Sequence, residues 1–185
     1  MIEETLREAD QKMNKAVGVA REEFAAIRAG RATPSMFNKL TAEYYGTPTP
    51  IQQLASFTSP EARIILVSPF DVNAMPAIEK AIRESDLGVN PSNDGKLIRC
   101  VFPELTEERR KEYIKVARTK AEEGRVAVRN IRRNAKQDLE RLEKDGEVGK
   151  DDVTGAEKRL DALTKKHTDQ IDELLKNKEA ELIEV

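Results

Sequence analysis

The residues whose types and spacing suggest a chemical role lie between Arg109 and Lys136. This segment holds eleven Lys/Arg and three Asp/Glu, in a chain of 185 residues with a formal net charge of -2. Read at helical spacing, seven of the cations share one face, with Glu122 at the only gap. This cationic stripe consists of Lys111, Lys115, Arg118, Arg125, Arg129, Arg132 and Lys136. Because like charges at this spacing weaken an isolated helix by repulsion, we expect a polyanionic partner.

Phosphate is the anion that these residues favour, because a guanidinium group can bind it through two parallel hydrogen bonds. The doubled Arg132 and Arg133 beside Arg129 strengthen this interpretation. An A-form RNA helix offers phosphates and minor-groove hydroxyls, so such a surface would recognise shape more than base sequence. The competing interpretation is an ordinary solvated helix face. The RNA hypothesis requires that these guanidinium groups are not tied up internally by carboxylates.

The inventory of catalytic residues argues against an enzyme. There is one histidine and one cysteine, and the sequence has no HExxH, GxGxxG or GxxxxGK[ST] motif. Acidic residues are numerous, but on charged helices they are the usual solvated surface. His167 falls on the inward face of a predicted helix, where a packed histidine is expected. We therefore predict no catalytic site, no metal site and no cofactor.

Three long helices are predicted, at residues 2–29, 106–144 and 152–182. Apolar and small residues recur every three or four positions in each, and the second helix would be about 58 Å long at 1.5 Å per residue. Its packing stripe consists of Tyr113, Ala117, Ala121, Gly124, Val128, Ile131, Ala135, Leu139 and Leu142. Thr106 is a predicted N-cap, and Asp145-Gly146 is a predicted helix end. Gly124 is expected to mark a close helix crossing. The three helices predict an antiparallel bundle.

The segment between the first two helices has a different composition. All eight prolines and four of the five phenylalanines lie between Pro34 and Pro103. We predict strands at 40–45, 63–67 and 97–102, one or two short strands within 51–57, a helix within 71–85, and turns at 46–48, 87–88 and 93–95. The fold class is thus α+β with two domains, in which a small β/α/β domain (31–104) is inserted into a three-helix bundle (1–30 plus 105–185).

The two chain crossings between these domains are a predicted hinge. It comprises Gly30, Arg31, Pro103, Glu104 and Leu105. Two interpretations of the first crossing stay open. Gly30 could be an ordinary glycine helix end with flanking charge, or a pivot at which Arg28 and Arg31 face the same polyanion as the cationic stripe.

No run approaches the roughly 18 apolar residues of a membrane span. The N-terminus, Met1-Ile2-Glu3-Glu4, is acidic where a secretory signal would be basic. Cys100 has no second cysteine with which to form an internal disulfide. We expect a cytoplasmic monomer with no membrane partner.

Five sequence runs closely resemble the ribosome recycling factor family. They are IRAGRATP at 27–34, YYGTP at 44–48, SDLGVNPSNDG at 85–95, LTEERRK at 105–111 and VRNIRR at 128–133. Five spaced runs in register are highly specific, and the resemblance extends over the whole length.

The resemblance implies an L-shaped, non-catalytic translation factor that lodges between the ribosomal subunits after termination. Its bundle would contact large-subunit rRNA, and elongation factor G with GTP would drive subunit separation and release of mRNA and tRNA. Arg129 and Arg132 would be the central RNA-binding residues, and the cationic stripe reaches both independently and adds Arg125. The auxiliary residues would be Arg28, Arg31, Arg110 and Arg133. A different class of protein would be a helical-bundle adaptor that binds acidic protein surfaces through the same residues.

Overall fold

The computed structural model describes residues 1–184, and within that range the chain contains four α-helices and six β-strands. The helices are α1 (Ile2–Ala25), α2 (Met75–Arg83), α3 (Glu107–Lys144) and α4 (Lys150–Ile183). The strands are β1 (Thr41–Tyr44), β2 (Thr47–Pro50), β3 (Ala55–Glu61), β4 (Ile64–Pro69), β5 (Asn90–Asn93) and β6 (Ile98–Val101). Single 3-10 turns lie at Pro34–Phe37, Ile51–Gln53 and Val72–Ala74. The predicted α+β class is confirmed.

The chain divides into two compact units. The first contains residues 1–24 and 115–179, and the second contains residues 25–114 with the chain from residue 180 onward. These limits differ from the predicted boundaries, 1–30 plus 105–185 and 31–104, which stay a prediction.

In the first unit, α1, α3 and α4 form the predicted three-helix bundle, and ion pairs along its surface give the helix directions. Arg118 bonds Glu179 at 2.8 Å and Arg132 bonds Asp161 at 2.7 Å, so α3 and α4 are antiparallel. Two further pairs, Glu3 with Arg159 at 3.0 Å and Asp10 with His167 at 2.7 Å, show that α1 and α4 are parallel. The bundle is therefore an up, down, up arrangement with α3 running opposite to its two neighbours.

The buried face of α3 consists mainly of small residues. It contains Ala117, Ala121, Gly124, Val128, Ala135 and Leu139, all of them members of the predicted packing stripe. A Cβ atom on Gly124 would lie 3.0 Å from Ile171 Cδ1 and 3.5 Å from Ala20 Cβ. The prediction of a close helix crossing at Gly124 is therefore confirmed, because residues of both other helices approach its backbone. Tyr113, Ile131 and Leu142 are only half-buried.

Both predicted ends of α3 are confirmed by their hydrogen bonds. Thr106 Oγ1 accepts from the Arg109 amide at 3.1 Å, which is an N-cap bond to the third helical residue. At the other end Gly146 adopts a φ of 75°, a left-handed conformation that glycine adopts without strain. The amides of Gly146 and Glu147 donate to the carbonyls of Glu143 and Leu142, both at 3.0 Å. These two bonds form a Schellman cap.

The predicted extension of the first helix to residue 29 is wrong, since α1 ends at Ala25. Ile27 and Ala29 are nevertheless buried, and the Arg28 side chain donates to the Pro103 carbonyl. Contacts with a distant part of the chain thus replace the last predicted helical turn. α4 begins at Lys150, two residues before the predicted start at 152.

The second unit is organised around an antiparallel four-stranded sheet of order β3-β4-β6-β5 and a separate hairpin of β1 and β2. Its core is aromatic and aliphatic. Phe37 lies 6.0 Å from Phe102 in an edge-to-face arrangement, with Ile65, Ile98 and Cys100 fully buried. Burial raises the pKa of the Cys100 thiol to about 12, so this side chain is a packed hydrophobe as expected.

Three details of this unit differ from the prediction. The strand β5 (Asn90–Asn93) was not predicted, because the sequence NPSN has a low β propensity and forms a strand through its pairing with β6. Residues Ile51–Gln53 form a 3-10 turn rather than a strand. The hairpin turn lies at Tyr45 and Gly46, both with positive φ, so the predicted turn residue Thr47 already belongs to β2.

Within residues 1–184, none of the helices is both long and apolar enough to cross a membrane.

Candidate nucleic-acid interface

The cationic stripe lies on α3 beside its small, buried residues, and its members differ in exposure. Ala121, Gly124 and Val128 are buried, whereas Arg118 and Arg129 are exposed on the same turns of the helix. Arg125, Arg132 and Lys136 are half-buried. The stripe therefore extends from the edge of the packed face to solvent.

Three arginines of the stripe lie along the seam between α3 and α4. Arg118, Arg125 and Arg132 are spaced seven residues apart, and each donates its Nε to a carboxylate of α4. The acceptors are Glu179 at 2.8 Å, Asp172 at 2.7 Å and Asp161 at 2.7 Å, respectively. Two of these acids, Asp172 and Glu179, are also seven residues apart, which is the signal in the sequence that could have revealed the pairing.

The requirement that the guanidinium groups be free of internal carboxylate partners is thus not met along the seam. These ion pairs lie at the surface, however, where each contributes little because water and salt screen it. Arg118 and Arg132 each use Nε alone, which leaves their terminal Nη groups without a hydrogen bond within residues 1–184. The pairs therefore orient Arg118 and Arg132 and leave their Nη groups without an acceptor among residues 1–184.

Arg125 is the most constrained of the three. It bonds Asp172 through Nε and Glu122 through Nη1 at 2.9 Å, and its side chain is 21% exposed. Two carboxylates hold it in place.

Arg129 and Arg133 point away from the seam. In the part of the chain that the structure describes, Arg129 has a single side-chain bond, from Nη1 to Glu122 Oε1 at 3.2 Å, and its side chain is 55% exposed. Arg133 is exposed and has no ion pair with any residue that the structure describes. Arg129 and Arg133 are exposed members of the candidate surface that make no bond to α4 within residues 1–184.

The structure does not bring Arg28 to this surface. Arg28 is 5% exposed, its Nη2 donates to the Pro103 carbonyl, and its guanidinium carbon lies 5.4 Å from the centre of the Phe102 ring. Desolvation lowers the pKa of Arg28, and the positive charges of Arg109 and Arg63 lower it further. Arg28 is thus held against Pro103 and Phe102 within the second unit, and its assignment to the RNA-binding set stays a prediction that this burial does not favour.

The other two auxiliary arginines lie in the second unit. Arg31 is exposed, and Arg110 is half-buried with its Nη2 donating to the Leu105 carbonyl at 3.3 Å. The contacts of Arg110 tie the start of α3 to the residue before its N-cap. Neither residue belongs to the compact unit that contains Arg129 and Arg132.

The five predicted hinge residues all lie within the second unit. Gly30 does not have a positive φ, and α1 ends five residues before it, so the interpretation of Gly30 as a glycine helix end is wrong. A Cβ atom on Gly30 would lie 3.5 Å from the Glu184 carbonyl oxygen. The assignment of Pro103, Glu104 and Leu105 to a hinge stays a prediction.

His167 is a packed histidine, as the sequence predicts. It is 1% exposed, with Nε2 2.7 Å from Asp10 Oδ1 and Nδ1 3.0 Å from Gln170 Oε1. Both ring nitrogens are thus occupied by bonds within the bundle. Across residues 1–184, no cluster of three or more His, Cys, Asp or Glu side chains could hold a metal ion.

Comparison with known proteins agrees with this architecture. The family model described as ribosome recycling factor matches residues 20–183. The chain belongs to the ribosome recycling factor family. The prediction of a translation factor rather than an enzyme is confirmed by this membership.

Relatives in the ribosome recycling factor family match over the full length. The ribosome-recycling factor of Nocardioides sp. (strain ATCC BAA-499 / JS614) is 76% identical over 185 residues, with 100% of both chains covered. That of Kineococcus radiotolerans is 64% identical, again with 100% of both chains covered.

Two solved structures share the fold. A solution structure of the ribosome recycling factor has a TM-score of 0.78 and 42% identity, covering 100% of this chain and 98% of that chain. A second structure shows the T. thermophilus ribosome recycling factor and the E. coli elongation factor G bound to the E. coli post-termination complex. Its recycling factor has a TM-score of 0.70 and 41% identity, with 100% of both chains covered.

Proposed function

We propose that this chain binds the post-termination ribosome through large-subunit rRNA and, with elongation factor G and GTP, promotes subunit separation and release of mRNA and tRNA. The related factor bound with elongation factor G to a post-termination complex supports this function. The chain is proposed to act as a cytoplasmic monomer that carries out no bond chemistry. Hydrolysis of GTP belongs to the elongation factor.

The observation that carries the proposal is the exposed guanidinium group of Arg129 on the outward face of α3. It lies between Arg125 and Arg132 along the helix, and its one ion pair is with an exposed carboxylate. Arg129, Arg132 and Arg133 are proposed as the principal phosphate-binding residues, and Arg125 is held between two carboxylates beside them. Arg31 and Arg110 are proposed as peripheral contacts outside this group.

The test is the variant Arg129→Ala, with Arg141→Ala as its control. Arg141 lies on the same helix, its side chain is 71% exposed, and its ion pair to Asp138 at 3.8 Å is equally local, but it is not part of the cationic stripe. Loss of a charge-assisted hydrogen bond to phosphate should weaken binding to purified ribosomes about tenfold. Subunit splitting with elongation factor G and GTP should fall with it.

The control variant should bind and split ribosomes as the unmodified protein does, and both variants should keep the same melting temperature. Normal ribosome binding by Arg129→Ala would contradict the proposal. An adaptor for acidic proteins would instead keep its partner after treatment with RNase, whereas an RNA-binding surface would lose it.

A further inference from the structure

Glu122 is the one acidic residue within the cationic stripe, and it binds two of the arginines at once. Its Oε2 accepts from Arg125 Nη1 at 2.9 Å and its Oε1 accepts from Arg129 Nη1 at 3.2 Å. The spacing of three and seven residues places all three side chains on one face of α3. Two guanidinium groups thus converge on the two oxygens of one exposed carboxylate.

A phosphate group is recognised by the same arrangement. It offers at least two oxygens to guanidinium donors, and two arginines that converge on one anion are a common phosphate site. The donors at Glu122 are already held at the required spacing, because Arg125 is fixed from its other side by Asp172 at 2.7 Å. Among residues 1–184 Arg129 has no such second partner, so it is able to follow an incoming anion.

We propose that the Glu122 carboxylate occupies, in the free protein, the position at which Arg125 and Arg129 bind an RNA phosphate, and that the RNA displaces it. The inference rests on the proposed binding of rRNA and deepens it. Glu122 then acts as a specificity-determining residue. A single weak anion competes poorly with a carboxylate attached to the same helix, whereas a polyanion gains further contacts at Arg132 and Arg133 that offset the displacement.

The electrostatics of the site agree with an exchangeable internal anion. Hydrogen bonds, chiefly from Arg125 and also from Arg129, hold the pKa of Glu122 below its usual value. The ionised carboxylate is therefore favoured. The Glu122 side chain is 55% exposed, which gives it room to swing into solvent when a phosphate enters. A pair at such a site is screened by water and is broken at little cost.

The test compares Glu122→Gln with Glu123→Gln in binding to purified large ribosomal subunits over a range of salt concentrations. Glu123 is the adjacent residue, its side chain is 62% exposed, and it pairs with Lys120 rather than with an arginine. Both variants remove one negative charge from the same turn of the same helix. They differ in whether that charge was held by Arg125 and Arg129.

Glu122→Gln should bind about two- to fivefold more tightly than the unmodified protein, because it removes the exposed and individually weak ion pairs that RNA must displace. The plot of log K against log salt should keep its slope, because RNA contacts the same phosphates once Glu122 has been displaced. Glu123→Gln should gain less in affinity and keep the original slope. In a protein that already carries Arg129→Ala, Glu122→Gln should give a smaller gain, because only the bond between Glu122 and Arg125 is left for RNA to displace.

The outcomes separate this inference from the proposed function. If Arg129→Ala alone leaves binding unchanged, both are overturned. If Arg129→Ala weakens binding but Glu122→Gln gains no more than Glu123→Gln, the displacement by RNA is overturned and the rRNA-binding surface stands. Weaker binding by Glu122→Gln would also overturn it, because the carboxylate would then be needed to position the arginines.

Discussion

At the scale of single residues, arginines of similar sequence context have different roles here. Arg28 and Arg31 flank Gly30, and both were assigned to RNA binding from the resemblance. The structure buries Arg28 against Phe102 and the Pro103 carbonyl, and it leaves Arg31 exposed. One arginine thus connects two distant parts of the chain, and only the other is accessible to a partner.

This difference predicts opposite results for two substitutions. Arg28→Ala should lower the free energy of unfolding by about 1.5 to 3 kcal/mol, since it removes a buried, charge-assisted hydrogen bond and leaves the Pro103 carbonyl without this donor. Arg31→Ala should change that free energy by less than about 0.5 kcal/mol, as exposed substitutions do. Urea denaturation measures both. Equal stability of the two variants would contradict the structural role of Arg28.

At the scale of elements, the sequence predicts what local chemistry determines. The limits of α3 follow from Thr106 and Gly146, because their capping bonds involve only neighbouring residues. The burial of Ala117, Ala121 and Gly124 follows from their helical spacing. Elements that depend on distant partners were predicted poorly. The strand β5 exists because β6 lies beside it, and α1 ends early because residues 26–29 make other contacts.

The candidate site shows the same division. The sequence places Arg125, Arg129 and Arg132 on one helix face, because that face depends only on spacing. It does not show that Asp161 and Asp172 of α4 would meet them, since that depends on the register between two helices. The side-chain environment of a surface arginine is therefore a tertiary property, whereas its direction from the helix is a local one.

A hydrogen bond connects the β1–β2 hairpin with the N-cap of the 3-10 turn that precedes α2. Tyr44 Oη donates to Asp71 Oδ2 at 2.8 Å, and Asp71 Oδ1 accepts from the Asn73 amide at 2.9 Å. The pKa of Tyr44 is raised to about 12, mainly by this hydrogen bond and secondly by burial of the phenol. The same bond is the main cause that lowers the pKa of Asp71.

The shifts predict how the stability conferred by this bond depends on pH. A phenol whose pKa is raised from 10.0 to about 12 stabilises the fold below pH 10, and that contribution is lost as the pH rises towards 12. An Asp71 with a lowered pKa contributes above pH 3.8, and its contribution is lost as the pH falls further. The melting temperature of the unmodified protein should therefore exceed that of Tyr44→Phe between these limits, and the difference should shrink outside them.

A phenolate absorbance titration provides the independent check. In Asp71→Asn, the pKa of Tyr44 should fall from about 12 towards its ordinary value of 10.0. A constant melting difference across the whole pH range would show that the Tyr44 hydroxyl does not contribute through this bond.

At the scale of the whole molecule, a chain of net charge -2 is proposed to bind a polyanion. The segregation of charge makes this reasonable, because the segment from Arg109 to Lys136 is strongly basic, whereas residues 137–185 carry fifteen acids and nine bases. Attraction to RNA is then confined to one face, and the acidic remainder of the surface opposes non-specific association with other nucleic acids.

The proposal predicts a definite salt dependence. If about six phosphates are contacted, log K for large ribosomal subunits should fall with log salt at a slope of roughly -4 to -5. Filter binding or sedimentation at several salt concentrations measures it. A slope near zero would mean that apolar contacts dominate, and the cationic stripe would then not be the binding surface.

The small residues of α3 have a consequence for protein engineering. Ala117, Ala121 and Gly124 are buried, whereas Arg129 and Arg133 make no bond to α1 or α4 within residues 1–184, so these two outward positions can change independently of the packed face. Such outward positions could be substituted so that the helix binds a different macromolecule, while the buried residues are kept. The helix could therefore serve as a scaffold onto which other binding residues are grafted.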